Sequence, residues 1–258
     1  LLCLTSVGGV PTLLWKLMEE IQPGDVVVIS RTQSAEYGLG DEPSWEAALL
    51  AGAFISEAWT AHTRVEFSNT DKEYFDAVVE AYDSLVGGSR YIRTEATVSG
   101  KTLYRLSILN VRRLCATPLA ELLGRKSADK RIPEFIWSSG DSVRRYFLAS
   151  LFTGDGSSST LPRGTHQVSY STRSQQLARD VQNMLLGFGV VSRLCHYPSG
   201  EIKVVLTNKR DVRLFSWNVG FLGCKDDKLK LAVQTMRDTR SMSQDHVPFV
   251  AEFIREHG

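Results

Sequence analysis

A segment that occurs twice constrains this chain more than any other feature. Residues 44–59, SWEAALLAGAFISEAW, and residues 142–157, SVRRYFLASLFTGDGS, each read as an apolar helix rich in small residues. Each ends in an acid beside a small residue, and the two acids, Glu57 and Asp155, stand 98 residues apart. A long internal repeat makes each copy one packing unit and requires the copies to bury their apolar faces somewhere, most simply on each other. The segments after the two acids are also alike. After Glu57 come the strand-like HTRVEFS and a helix expected to open on a Thr70-x-x-Glu73 capping box, with Phe75, Val78, Val79, Tyr82 and Leu85 at helical spacing. After Asp155 come HQVSYS, a Thr172-x-x-Gln175 start, and Leu177, Val181, Met184, Leu185 and Phe188.

Each copy then runs into a hairpin around a glycine turn, Ser99-Gly100 in the first and Ser199-Gly200 in the second. A third helix is expected to close each copy, NVRRLCATPLAELLG and NKRDVRLFSWNVGFLG, both stopping at glycine. The pattern is αββαββα, twice. It predicts an α+β protein of two pseudo-symmetric repeats, each with a four-stranded antiparallel sheet, packed through the two acid-ended helices. The second copy has about five extra residues in its first hairpin, SSSTLPRG, and a basic connector, GRKSADKRIP, joins the copies. The expected divisions are an N-terminal extension over 1–44, a first repeat with connector over 45–132, a second repeat over 133–240, and a tail over 241–258 with a helix from Asp245 to Gly258.

Composition removes several alternatives. With 258 residues, 43% of them hydrophobic and 23% charged, the chain is neither disordered nor a stapled miniprotein. Its longest apolar runs fall well short of the roughly 18 residues that cross a bilayer, so no membrane partner is expected. The first residues lack the basic start of a signal peptide, so a cytoplasmic location is expected. Cys3, Cys115, Cys195 and Cys224 have no zinc or disulfide spacing and read as buried thiols. His62, His166, His196, His246 and His257 likewise show no metal-ligand spacing and read as surface residues or phosphate contacts. The net charge of +1 hides a divided chain. Residues 1–44 carry six acids against two bases, whereas residues 90–113 carry six bases against one acid. Such local concentration is what phosphate-backbone binding requires.

Both repeated helices put a carboxylate where the helix dipole is already negative and a cation would be expected. If the helices cross through Ala51/Gly52 and Ala149/Ser150, Glu57 and Asp155 converge. Two close carboxylates repel unless one is protonated or a divalent cation lies between them, and hard oxygen ligands of this kind suit Mg²⁺.

LAGAFISEA at 50–58 and LASLFTGDG at 148–156 resemble the two signature helices of the LAGLIDADG homing endonucleases, in their single-chain, two-repeat form. The resemblance covers about residues 45–240. It implies a saddle of two sheets over double-stranded DNA and hydrolysis of phosphodiester bonds by a monomer. In that family the eighth motif position supplies the metal-binding acid, here Glu57 and Asp155, with the carbonyls of Ser56 and Gly154 as secondary ligands. Mg²⁺ is the implied cofactor, with Ca²⁺ or Mn²⁺ able to substitute in vitro. A basic residue near each acid is also implied. Lys130 and Lys225 fill that role, with Lys126, Arg131 and Lys228 as substitutes. The alternative is a noncatalytic nucleic-acid-binding descendant, a maturase or transcription regulator. Such relatives often lose one motif acid, and this chain keeps both.

An antiparallel sheet with one face on the core leaves its alternate residues for the major groove. In the first repeat Ile92, Thr94, Ala96, Tyr104, Leu106 and Ile108 are expected inside, leaving Arg93, Glu95, Thr97, Lys101, Arg105 and Ser107 outside. In the second, Ile202, Val204 and Leu206 are expected inside, with Arg193, Tyr197, Glu201, Lys203 and Thr207 outside. A slip of one residue would exchange the sets. Because the outward sets differ, an asymmetric target is expected.

Residues 1–44 fit neither repeat. LCLTSVGGVPTLLWKLMEEIQPGDVVVISR resembles part of an intein splicing domain, where a Trp, an acidic helical turn and a PGD-plus-strand element recur. The chain has no nucleophile at residue 1, no Thr-x-x-His and no terminal His-Asn pair, so the expectation is an endonuclease domain carrying a remnant that does not splice.

Overall fold

A computed structural model describes residues 1–31, 44–61, 63–109, 111–162, 164–236 and 247–258. His62, His246, Asp245, Asn110 at the start of the expected third helix, and the expected boundary at 240 lie outside the described residues. The chain divides into two compact units, one of residues 1–31 with 237–258 and the other of residues 32–236.

In the smaller unit, β1 (Leu2–Val7) and β2 (Val10–Trp15) pair antiparallel around Gly8 and Gly9, both at positive φ (58° and 83°), the geometry of a tight hairpin turn. A 3₁₀ turn (Met18–Glu20) and the Pro23-Gly24-Asp25 turn lead to β3 (Val26–Val27), which pairs with β1. Asp25 holds that turn, accepting from the Gln22 amide and from Lys16 Nζ, both at 2.9 Å. A C-terminal helix, Val250–His257, packs against β2.

In the larger unit the expected element order appears twice. The first copy comprises α1 (Trp45–Ser56), β4 (Ala58–Thr60), β5 (Val65–Asn69), α2 (Lys72–Leu85), β6 (Arg90–Ala96), β7 (Thr102–Ile108) and α3 (Arg112–Cys115). After the connector and a single turn, α4 (Glu134–Trp137), the second comprises α5 (Asp141–Asp155), β8 (Gly156–Thr160), β9 (His166–Thr172), α6 (Gln175–Gly187), β10 (Arg193–His196), β11 (Ile202–Leu206), α7 (Lys209–Asn218) and α8 (Cys224–Thr235). The sheets run β4-β5-β7-β6 and β10-β11-β9-β8, all antiparallel, the same topology in both copies. Ala58 pairs with Phe67 across nine residues of chain and Gly156 with Tyr170 across fourteen, which locates the five extra residues in the β8–β9 connection.

α1 is buried continuously from Ala47 to Ile55, as a helix apolar on all sides must be, and it packs along α5. α2 and α6 are one-sided and cover the sheets. Phe152 of α5 packs in tilted and edge-on contact with Tyr170, Phe215 and Phe221 at 4.8–6.3 Å between ring centres, joining helix, sheet and the α7 region in one core.

Several expectations need correction. Helices α2 and α6 are capped by Asp71 and Ser174, not Thr70 and Thr172; Asp71 accepts from the amides of Glu73 and Tyr74, and Ser174 from Leu177. The third helix of the first repeat is broken. Pro118, which has no amide to donate, opens a separate 3₁₀ segment (Pro118–Leu122) after α3. Ile92, Thr94 and Ala96 share the inner side of their sheet by register but are exposed, because β6 is an edge strand overhanging the core, and outward Ser107 is buried. Only Cys3 is a buried thiol, while Cys115 and Cys224 are exposed. His166 is buried, its ring nitrogens paired to Ser158 (2.8 Å) and Thr160 (3.1 Å). Among the described residues no helix is long and apolar enough to cross a membrane.

Candidate active site

The site begins with two glycines. A Cβ on Gly52 would lie 2.6 Å from Phe147 O and 2.7 Å from Ser150 Cβ, and one on Gly154 would lie 2.1 Å from Ser56 Oγ. Only hydrogen at these positions lets α1 and α5 approach so closely. The crossing brings their C-terminal ends together. Glu57 is the C-cap of α1 and Asp155 the last residue of α5. Tyr74, wholly buried on α2, ties the crossing further. Its hydroxyl donates to Ser150 O (3.0 Å) beside Ser150 Oγ, which donates to Leu49 O (2.6 Å).

Both acids hold their protons more tightly than usual. Burial raises Glu57, against the attraction of Lys225 and Lys130. Asp155 is pushed up to about 7 by burial and by the charge of Glu57, the same two lysines opposing. Each lysine ends at a helix C-terminus. Lys130 Nζ donates to Ile55 O (2.5 Å), and Lys225 Nζ to Thr153 O (2.5 Å), Gly156 O (3.0 Å) and Gly154 O (3.3 Å). Ile55 and Thr153 are equivalent in the repeat, so the ammonium groups are pseudo-symmetric. They supply the cations that the dipole argument demands at an acid-ended helix. Burial lowers both lysines, and the two carboxylates draw both back up.

The oxygen set fits a hard divalent cation. The charge of Glu57 raises the proton affinity of Asp155 on the other helix, and a cation between the two carboxylates relieves that repulsion. Among the described residues no group of three or more His, Cys, Asp or Glu is gathered for an all-protein cage. Few protein ligands with water and substrate oxygen completing the shell is the arrangement Mg²⁺ favours. The carbonyl of Gly154 is partly engaged by Lys225, while Ser56 spends its hydroxyl on Gly52 O (2.9 Å).

Beside Asp155 lies a groove of about 460 Å³ lined by Ser56, Lys130, Tyr170, Thr172, Arg173 and Glu201. Arg173 was not among the expected residues. Nor was Asn69, whose amide donates to Glu57 Oε1 (3.4 Å). Asn69 and Thr172 occupy equivalent places two residues before the helix caps, and each accepts the cap residue's amide, so aligning the repeats would have exposed them.

The expected sheet residues form two groups. Arg93 stands directly opposite Arg105, and Glu95 bridges to Arg105 at 3.2 Å. Like charges directly opposite cost stability, and the Glu95 bridge offsets part of that cost. Lys101 is exposed at the turn, but Thr97 spends its hydroxyl on Lys101 O and receives the Lys101 amide. In the second repeat Arg193 donates to Thr207 (3.3 Å), and Lys203 lies 5.3 Å from the Tyr197 ring and 3.6 Å from Glu201. The same faces carry Trp59, Glu66 and Ser68 in the first sheet and Ser157, Gln167 and Ser171 in the second, residues that the sequence-based outward sets did not include.

The profile of the LAGLIDADG-like domain matches residues 44–117 and 142–220. These segments are the two repeats and make up more than half of the chain, which therefore belongs to the LAGLIDADG family. Among curated proteins, the DNA gyrase A subunit of Mycobacterium malmoense is 49% identical over 257 residues, covering 100% of this chain and 54% of that protein. The same protein of Mycobacterium gordonae is 50% identical over 256 residues, covering 99% and 46%. The chain thus spans about half the length of these relatives. Replicative DNA helicase DnaB of Rhodothermus marinus is 25% identical over 268 residues, covering 94% and 27%. Among solved structures, mesophilic variants of the homing endonuclease I-DmoI match with a TM-score of 0.53 at 15% identity, over 74% of this chain and 100% of that one. The homing endonuclease I-WcaI bound to its DNA recognition sequence matches at 0.50 and 14%, over 70% and 82%. Full-length WhiA from Thermatoga maritima matches at 0.50 and 12%, over 84% and 68%. These three likenesses are of fold.

Proposed function

We propose that this chain is a site-specific, Mg²⁺-dependent endonuclease that cuts double-stranded DNA at a long asymmetric site, as a monomer inside the cell. The observation that carries the reading is the pseudo-symmetric pair of acid-ended helices, each closed by a lysine. Glu57 and Asp155, with the Ser56 and Gly154 carbonyls, would hold the metal, which when bound activates water and stabilises the leaving oxygen. Lys130 and Lys225, fixed on the helix ends, neutralise charge that develops on the phosphate. Asn69 orients Glu57. Arg93, Glu95, Thr97, Lys101 and Arg105 in one sheet, and Arg193, Tyr197, Lys203 and Thr207 in the other, position the duplex and read base edges.

The chain's relation to its relatives supports an intein-borne enzyme. One segment matches within proteins named for different activities, gyrase and helicase, and occupies only part of each, which is the signature of an inserted element. Residues 1–44 and 241–258 would then belong to the splicing part, and the repeats over 45–132 and 133–240 to the endonuclease. A second reading is a noncatalytic DNA-binding descendant of the same fold, a maturase or transcription regulator. Retention of both acids and both lysines weighs against it.

Selection from a randomised duplex library, in Mg²⁺ and then Ca²⁺, with sequencing of cut ends and bound pool, separates the readings. A single long asymmetric site cut in Mg²⁺ is expected. Specific binding without cuts under either ion would establish the second reading instead.

A further inference from the structure

Each lysine rides on a segment held by the opposite repeat. Ser174, wholly buried, caps α6 by accepting the Leu177 amide (3.1 Å), and its hydroxyl donates to the main-chain carbonyl of Lys130 (2.5 Å). Further along α6, Asp180 is buried in mid-helix, where an ionised side chain is costly unless satisfied. Its Oδ2 accepts the Ile132 amide (3.2 Å) and its Oδ1 the Gln176 amide group (2.8 Å). The first repeat's connector therefore hangs on a helix of the second, while Lys130 Nζ reaches back to Ile55 O on α1. Lys225 has the mirror arrangement. Asp71, the cap of α2, gives one oxygen to the amides of Glu73 and Tyr74, and its other accepts from the thiol of Cys224 (3.1 Å), the residue before Lys225. Within the second repeat itself, the Thr153 hydroxyl also accepts the Leu222 amide at 2.7 Å.

We infer that the helix caps Ser174 and Asp71 double as positioning residues, each clamping the lysine-bearing segment of the opposite repeat. Each lysine then gains its full hold only when the two repeats have docked. The inference rests on the reading of Lys130 and Lys225 as active-site groups. The geometry points to it because both caps sit at equivalent positions and both carry a bond that capping does not need.

The test measures acetylation of individual lysines in the full, metal-free chain, using isotopically paired N-hydroxysuccinimide acetate and mass spectrometry. Ser174→Asp keeps a capping oxygen but has no proton for the Lys130 carbonyl. It should raise acetylation of Lys130 by about tenfold, the worth of roughly one hydrogen bond, and leave Lys225 unchanged. Asp71→Asn, which still caps, should do the reverse. Ser174→Thr, retaining the hydroxyl, should hold Lys130 at the native rate. Cys224→Ala disturbs no cap and should raise Lys225 at least about twofold on the same scale. The inference is overturned if either cap variant moves both lysines together or moves neither, or if Cys224→Ala leaves Lys225 unchanged. Labelling needs no DNA, so a native chain that cuts nothing would defeat the endonuclease reading alone, and uncrossed labelling in a chain that cuts would defeat the clamp alone.

Discussion

Gly154 and Asp155 lie side by side and are constrained by opposite things, space and charge. A methyl on Gly154 has nowhere to go, because the Ser56 side chain occupies its place. Gly154→Ala should cost about 1–3 kcal/mol, the usual range for overpacking, seen as a lower midpoint in urea unfolding. Asp155 makes stability depend on pH. Between its ordinary value of 3.8 and about 7, the folded chain keeps a proton that the unfolded chain has released. Stability of the metal-free protein should therefore fall as pH rises through that window and level off above it. Asp155 has an open side toward solvent, so water reduces the size of the effect without changing its sign. Urea titrations from pH 4 to 8 would show the slope, and Asp155→Asn should flatten it. Glu57 and Asp155 were legible from the repeat alone. Lys130 and Lys225 were legible only through family resemblance, because a lysine bound to a helix-end carbonyl leaves no local pattern in sequence. Ser174 and Asp180 act across the repeats and left none either, whereas Asn69 acts within the first repeat and shows only when the repeats are aligned.

Elements were readable wherever one period dominated. α2 and α6 announce themselves by apolar residues at helical spacing, and the two hairpins by Ser-Gly turns. Their caps were misplaced because Thr70 and Thr172 look as good as Asp71 and Ser174 locally; what decides is where the preceding strand releases the chain. Strand alternation gave the correct faces in β6 and β7, but alternation says nothing about which strand is the edge, so Ile92 and Thr94 were expected in a core that ends beneath them. The Arg93–Arg105 pair makes a prediction at this scale. Arg93→Ala relieves a like-charge contact, so thermal stability should hold or rise slightly. Affinity for duplex should drop, and the slope of log affinity against log salt should flatten by about 1, the change for one lost phosphate contact. An unchanged salt slope would remove Arg93 from the DNA-binding face.

At the scale of the molecule, duplication explains both the symmetry and its limits. The acids and lysines are equivalent pairs, while the outward sheet faces are not: Arg93 and Arg105 in one sheet correspond to no basic pair in the other, where Lys203 stands opposite Cys195. A palindrome built from either half of the selected site should be cut at least about 100-fold more slowly than the native site, since several mismatches at 1–3 kcal/mol each accumulate. The central claim is that Glu57 and Asp155 form one metal-dependent hydrolytic site that is separable from DNA reading. It is tested most directly by comparing native chain and Asp155→Asn on the selected duplex, measuring single-turnover cleavage in Mg²⁺ and affinity in Ca²⁺. The account predicts cleavage lost and affinity retained within a few-fold. Metal-dependent cutting by Asp155→Asn at the native rate would contradict it.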